Sequence, residues 1–469
     1  MKNFAEIISL MFLGYFIIMN LSYFAIFVMS YTGIRRYRKR MPLNNYLLIY
    51  QSRFTPPISL IVPAYNEEGS IIKNVNVFLS NFDYPEYEVI VVNDGSSDGT
   101  LLKMLEEYEC EIGDYPYKKS LLTKPILNIY TSRKYKNLKI VNKINGGKAD
   151  ALNAGINVSK YPYFGSIDAD TILERNSYMK VILPVINNPR RVVATGGIIG
   201  VINGSKIVEN RIEEINFPKN ILAKFQVVEY MRAFLFGRYA WSIVNALPII
   251  SGAFGLFKKS AVLQCGGYST EKTKFYTVGE DMELVMKLHK HFREKKEKYK
   301  IEFVPDPLSW TEVPEDIKTL ANQRGRWHRG LMEVMWSNKN MLFNYKYGIL
   351  GIVAMPYYLI FELAAPVVEI LGYIMMPYFY LNNMITVDVF IMFLSIAVMV
   401  GVMNSLLAIC LEMITFRHYR RLKEIMAMVC FAILENFGYR HLTMLFRIRG
   451  MIQQIMGKNS WGIMKRKGF

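Results

Sequence analysis

Tyr163-Phe-Gly-Ser-Ile167 runs straight into Asp168-Ala-Asp170, and the reading of this stretch decides the fold. An apolar run that stops at two acids is a buried strand ending at the edge of a sheet. Residues i and i+2 of an extended chain point the same way, so both carboxylates share one side. Such a pair is a hard-oxygen site for Mg2+ or Mn2+ that leaves positions open for phosphate oxygens. A D-x-D triplet alone is common on protein surfaces. Its place after an apolar strand gives it weight.

The same pattern recurs upstream. Ile58-Ser-Leu-Ile-Val-Pro63 leads into Ala64-Tyr-Asn-Glu-Glu-Gly-Ser70, and Glu88-Val-Ile-Val-Val92 into Asn93-Asp-Gly-Ser-Ser-Asp-Gly99. Continuous rather than alternating apolar strands predict a sheet buried on both faces. Strand–turn–helix repetition predicts a mostly parallel, Rossmann-like sheet, whose ligands sit beyond the carboxyl ends of the strands. Tyr65 there offers a ring to a nucleobase, and Asp94 offers an acid to a base or ribose. Either loop read alone is equally ordinary turn and N-cap chemistry.

Three further clusters carry charge. Asn145-Gly-Gly-Lys148 sets a cation at a helix start, as a phosphate contact does, but its spacing departs from the Walker P-loop. Gly279-Glu-Asp281 opens a helix; acids there complement the helix dipole, and one of them could be the general base for an acceptor hydroxyl. Gln323-Arg-Gly-Arg-Trp-His-Arg329 combines arginine forks, suited to a diphosphate, with a Trp face suited to sugar C–H surfaces. Alone it also reads as a juxtamembrane basic-aromatic belt.

Residues 7–30 carry no charge and are long enough to cross about 30 Å of hydrocarbon. Arg35, Arg36, Arg38, Lys39 and Arg40 follow, which predicts a retained membrane helix with its N-terminus outside. Residues 389–411 form a clean spanning run. Residues 347–380 are interrupted by Pro356, Glu362, Pro366, Glu369 and Pro377, and 425–446 contain Glu435, Arg440 and His441. Basic residues flank that last run on both sides, so it either lies interfacially or re-enters, or 347–380 is not one simple pass. The three intramembrane glutamates face a polar conduit or a cation, or pair with arginines inside the bundle. The expected division is a membrane helix (1–33), a basic linker (34–56), a catalytic domain (57–330), an interfacial helix (331–346) and C-terminal membrane helices with a basic tail (347–469).

The chain has 469 residues, of which 57 are Lys or Arg and 39 Asp or Glu, for a net charge of +18, and 52% are hydrophobic. That is too apolar for a disordered or nucleic-acid-coating protein. The cations sit beside apolar runs, not in a stripe interleaved with stacking aromatics, which excludes nucleic acid as a partner. Cys110, Cys265, Cys410 and Cys430 show no paired spacing and, with five scattered His, no zinc pattern, so they read as reduced thiols.

In order, VPAYNEE, VNDGSSDG, GGKADALNAG, DAD, GED and QRGRW resemble the signature set of the family 2 glycosyltransferases, over residues 57–329. The membrane-embedded, processive branch is the nearest: cellulose, mixed-linkage glucan, chitin, hyaluronan and poly-N-acetylglucosamine synthases. The resemblance implies an α/β fold: a GT-A, Rossmann-like cytoplasmic domain with a mostly parallel sheet, plus an α-helical transmembrane region in the cell membrane. It implies a UDP-sugar donor, a growing polysaccharide as acceptor, and Mg2+ or Mn2+ on Asp168 and Asp170. Tyr65 and Asp94 would hold the uridine, and Glu67, Lys148, Asp168 and Arg326 the rest of the nucleotide. Asp281 would be the base, with Glu280 beside it, and Gln323, Trp327, Ser251 and Gly252 would meet the acceptor. Asn93 stands where many members have a second Asp, and Gly279 where cellulose synthases have Thr, which disfavours cellulose. No room remains for an appended cyclic-di-GMP-binding domain, so such regulation, like secretion, would call on accessory subunits.

The expected reaction is one inverting displacement, from UDP-sugar to a β-linked polysaccharide passed across the membrane. Residues 355–372 lean the reading towards UDP-glucose and a β-glucan of mixed 1,3;1,4 linkage. The alternatives are a UDP-GlcNAc polymerase and a non-processive transferase to a lipid acceptor.

Overall fold

Uncharged β-branched runs are stable only where both faces of a sheet are covered, and that is where they lie. The computed structural model describes residues 2–40, 52, 54–80, 82–169, 171–208, 211–273, 276–416 and 418–457. Asp170, most of the basic linker and the basic tail from Lys458 lie outside the described residues.

The strands are β1 (Ile58–Ala64), β2 (Tyr87–Asn93), β3 (Cys110–Ile112), β4 (Ile126–Ser132), β5 (Leu138–Lys143), β6 (Tyr163–Ile167), β7 (Ile172–Leu173), β8 (Val192–Val201), β9 (Lys206–Val208), β10 (Arg211–Glu214), β11 (Phe254–Lys258) and β12 (Lys300–Thr311). All but the β9–β10 hairpin join one sheet in the order β3-β4-β5-β2-β1-β6-β11-β8-β12-β7. The run β5-β2-β1-β6 is parallel, while β11 pairs antiparallel with both β6 and β8. β1, β2 and β6 are therefore neighbours, and the turns after their carboxyl ends, carrying Tyr65, Asp94 and Asp168, meet at one edge.

Helix α1 (Lys2–Arg40) extends the uncharged run at both ends through the basic cluster. It and the later helix Val387–Thr415 are long and apolar enough to cross a membrane; a third crossing requires counting the bent pair Leu350–Leu363 and Ala365–Leu381 as one span. The 45° bend falls at Ala364, just before Pro366, whose missing N–H removes a ladder bond. The apolar run 425–446 is two short helices, Leu422–Leu434 and Tyr439–Ile455, because Gly438 takes φ 132° between them. Arg38 Nη1 donates to the Ile414 carbonyl at 2.6 Å, joining the basic end of α1 to the C-terminal end of Val387–Thr415. The QRGRW segment lies inside one helix, Ile317–Ser337, so the expected boundary at 330/331 falls within a helix; two 3-10 turns, Lys339–Met341 and Tyr345–Tyr347, follow instead of an interfacial helix over 331–346.

His289, on the helix Glu280–Glu294, is fully buried; its Nε2–H donates to the Leu247 carbonyl (2.8 Å) and its Nδ1 faces the Tyr299 hydroxyl at 2.5 Å. Burial pushes its pKa down to about 4. The unfolded chain takes up that proton near pH 6.5, so stability falls as pH drops from about 6.5 to about 4, by roughly 3 kcal/mol in all. Thermal unfolding between pH 7.5 and 4 should show this loss, and His289→Gln should remove most of it. An unchanged acid slope in the variant would assign the loss to other groups.

Candidate active site

The edge where β1, β2 and β6 end is held open by hydrogen bonds between loops. Asn66 sits at φ 54°, a left-handed position that Asn tolerates. Its side-chain oxygen accepts from Ser97 N (2.8 Å), and its own N–H donates to Ser96 Oγ (3.0 Å), locking the turn after β1 to the turn after β2. Tyr65 beside it is half exposed, its ring presented to the cavity. Glu67 turns inward locally: its carboxylate accepts the Ser70 hydroxyl (2.9 Å) at the start of the helix Ile71–Ser80.

Asp94 is buried, and its carboxylate accepts from Gly146 N (3.0 Å) and Gly147 N (2.7 Å) and pairs with Lys143 Nζ (2.5 Å). Asp94 thus pins the Asn-Gly-Gly turn, with Gly147 at φ 83°, and so places Lys148 at the first residue of the helix Lys148–Val158. Asn93 donates from its amide to Asn142 Oδ1 on β5 (2.9 Å).

Lys148 Nζ bridges Asp168 Oδ1 (2.6 Å) and Glu280 Oε1 (3.1 Å). Burial opposes its charge, but the two carboxylates outweigh that and raise its pKa, so it stays an ammonium. Burial raises the Glu280 carboxyl, against the pull of Lys148 and Arg326. Asp281 keeps both oxygens hydrogen-bonded, Oδ2 to Gly252 N (3.1 Å) and Oδ1 to Met282 N (2.8 Å). The turn just before β11 therefore orients the Asp281 carboxylate, and a Cβ at Gly252 would lie 2.9 Å from Lys148 Nζ and displace that ammonium. Ser251 lines the cavity beside it.

The helix Ile317–Ser337 closes the other wall. Gln323 is buried, Arg326 faces Glu280 electrostatically, and Trp327 is 43% exposed to the cavity. Several residues that sequence reading passed over fix this wall. The Arg324 guanidinium lies over the Trp327 ring at 4.5 Å and is held by Glu229 (2.8 Å). Gly279 packs backbone-to-backbone on Gly330, a Cβ on Gly330 lying 3.0 Å from Gly279 Cα, and Glu333 accepts from Thr277 Oγ1 (2.6 Å) and Val278 N (3.0 Å). The GED turn is thereby clamped to the QRGRW helix. The Gly at 279 follows from that contact, since any side chain would separate them.

Among the described residues no three His, Cys, Asp or Glu side chains converge into a metal cage. Asp168 nevertheless gives only Oδ1 to Lys148 and stays partly exposed (27%), which leaves a carboxylate oxygen for a cation. The donor set fits a hard divalent ion. Tyr65, Asp94, Lys148, Asp168, Glu280, Asp281, Gln323, Arg326 and Trp327 line one cavity of about 1900 Å3. It runs from Tyr65, Lys148 and Asp168, past Asp281 and Trp327, to Tyr23, Glu362, Glu369 and Arg447 among the membrane-type helices. Of the three glutamates in the apolar runs, Glu362 pairs with Arg447 (3.5 Å) and Glu435, away from the cavity lining, with Arg232 (2.5 Å), while Glu369 lines the cavity.

The chain is similar to poly-beta-1,6-N-acetyl-D-glucosamine synthase of Staphylococcus epidermidis, 31% identical over 299 residues, 63% of this chain and 60% of that one. The Staphylococcus aureus synthase of the same name is 29% identical over 279 residues, 59% of this chain and 55% of that one. The matches thus span less than two thirds of these relatives' length. A solved structure, mannosyltransferase PcManGT from Pyrobaculum calidifontis in complex with GDP-Man and Mn2+, shares the fold at TM-score 0.51 and 16% identity, over 94% of this chain and 100% of that one. That likeness bears out the GT-A fold that the resemblance implied. The profile of Glycosyl transferase family 2 matches residues 59–263, and that of Glycosyl transferase family group 2 matches residues 164–409, more than half of the chain. With Asp168 and the GED and QRGRW groups meeting in one cavity, the chain belongs to the family 2 glycosyltransferases.

Proposed function

We propose that this transferase polymerises UDP-N-acetylglucosamine into a β-1,6-linked polysaccharide and feeds the growing chain from a cytoplasmic active site into a multi-pass membrane region. The observation that carries this reading is the single cavity joining the nucleotide edge to the membrane-type helices, with Asp281 and Trp327 midway. The names of the relatives favour N-acetylglucosamine, so the glucan expectation gives way. Residues 355–372, on which that expectation leaned, line the membrane end of the cavity, far along the chain from the turns that would grip a sugar.

Tyr65 would stack on the uracil, while Lys148 and Arg326 would hold the diphosphate. Asp168 and Asp170 would hold Mg2+ or Mn2+, which supplies positive charge where the diphosphate leaves. Asp281, its carboxylate oriented by Gly252 N and Met282 N, takes the proton of the acceptor hydroxyl as that oxygen attacks the anomeric carbon. For a 1,6 linkage that hydroxyl is primary. One displacement inverts the centre, so an α-linked donor gives a β-linked product. Glu280 holds Lys148 in place and does not need to exchange a proton.

Protein in lipid nanodiscs, given UDP-GlcNAc, UDP-glucose or UDP-galactose separately with Mg2+ or Mn2+, should make high-mass product from the first only. That product should resist chitinase and show 6-substituted residues on methylation analysis. Polymer from UDP-glucose in place of UDP-GlcNAc would sink the reading.

A further inference from the structure

Arg238 lines the cavity and has no part in the reaction proposed above. Arg238 ends a π-wound stretch, Met231–Arg238, that continues the helix Ile221–Tyr230. Such turns mark functional sites more often than ordinary helix does. Ser30 of α1 donates to the Phe236 carbonyl (2.6 Å), tying this stretch to the first membrane-type helix.

The Arg238 guanidinium lies over the Phe234 ring at 3.9 Å. Its buried Nη1 finds no hydrogen-bond acceptor among the described residues. A buried, unmet donor of this kind is costly unless a ligand oxygen answers it. Arg238 lines the cavity within electrostatic reach of Asp281, Tyr358 and Tyr230. Tyr358 belongs to the membrane-type stretch Leu350–Leu363, so Arg238 has both the proposed base and those helices as neighbours. Lys148 and Arg326 gather around Glu280 and Asp168, where the diphosphate would go. Arg238 pairs with neither of those acids among the described residues, so its unmet donor is left for the acceptor.

The wall around it is aromatic. Tyr230 and Phe234 both line the cavity with ring centroids 5.5 Å apart, and Tyr230 leans towards Trp327 at 6.4 Å. One strong N–H donor set against an aromatic wall is the complement of an acetamido group, which offers a carbonyl oxygen and a methyl. A sugar hydroxyl would meet the donor but leave the rings uncovered.

We propose that Arg238, with Phe234 and Tyr230, binds the acetamido group of the acceptor sugar and makes the enzyme select an N-acetylated chain end. This rests on the polymerase reading above and names the residue that enforces it.

The test compares two soluble acceptors, a β-1,6-linked N-acetylglucosamine tetrasaccharide and the corresponding glucose tetrasaccharide, which has a hydroxyl in place of each acetamide. Wild type should prefer the first. In Arg238→Gln the KM for the acetylated acceptor should rise roughly tenfold or more, the scale of a lost charged hydrogen bond. The KM for the glucose acceptor should barely move, and the KM for UDP-GlcNAc should stay within about twofold. Arg238→Lys should recover part of the preference. Should Arg238→Gln not fold, Phe234→Leu, which keeps the cation but removes the ring, should lower the same preference by a smaller factor.

A loss equal for both acceptors would overturn the assignment, as would a raised KM for UDP-GlcNAc, which would move Arg238 to the donor site. Wild type that polymerises only another UDP-sugar would instead refute the polymer reading itself. That failure is seen without any variant.

Discussion

Asp281→Asn should abolish sugar transfer while leaving UDP binding nearly intact. The amide keeps the shape of the carboxylate and can still accept from Gly252 N at the position where Oδ2 now accepts at 3.1 Å, but it cannot take a proton from the acceptor. General-base catalysis contributes on the order of 10²–10⁴ in rate, so turnover should fall by about that factor. Affinity for UDP should change little, because Lys148 meets Asp168 and Glu280, not Asp281, at hydrogen-bonding distance. UDP release and polymer mass measure the first effect, and calorimetric titration with UDP the second. Transfer at an undiminished rate would remove Asp281 from the base role; a variant that also loses UDP would show that the turn holds the nucleotide site together.

The elements that sequence reading located are those in which the chemistry is local. β1, β2 and β6 are short apolar runs closed by polar turns, and a run of that kind has few places to go except the middle of a two-sided sheet. Asp168, Lys148 and Asp281 each stand at an element boundary, where a charged side chain is conspicuous, and the sheet order brings those boundaries together. What was not legible depends on contacts between segments far apart in the chain. Arg238 lies in a helix whose composition resembles any amphipathic helix; only its placement beside Asp281 and Phe234 gives it a task. Gly279 read as a departure from cellulose synthases, and its reason, the backbone of Gly330, lies on another helix. The run 425–446 looked like one apolar segment with awkward charges. Folded, it breaks at Gly438, and Glu435 is buried against Arg232 and Ser405, partners some 30 to 200 positions away. The identity of the sugar turns on one acetamido group, and no local pattern encodes a pocket assembled from four segments.

The same long-range logic predicts the effect of the smallest possible change in the C-terminal region. Gly450, on the helix Tyr439–Ile455, packs against Gly325 in the middle of QRGRW, and a Cβ on Gly450 would lie 2.3 Å from the Gly325 carbonyl oxygen. That neighbour is backbone, which no rotamer change can move aside, so Gly450→Ala must push the two helices apart by about an ångström to reach ordinary contact distance. The displacement acts directly on the acceptor wall. Tyr439, at the start of the same helix, shares the Glu229 carboxylate with Arg324, and Arg324 stacks on Trp327. A misplacement of that size can slow a positioned reaction by about a hundredfold. Gly450→Ala should therefore give short products at a sharply reduced rate of elongation, whereas UDP affinity should fall much less, because Tyr65, Lys148 and Asp168, which would hold the nucleotide, stand on other elements and only Arg326 rides on the displaced helix. It should also unfold at lower temperature, since overpacking of this kind destabilises by roughly 1–3 kcal/mol. Polymer of wild-type length from Gly450→Ala would mean that the helix Tyr439–Ile455 does not set the position of Trp327. Loss of UDP binding along with elongation would mean that it supports the whole catalytic domain.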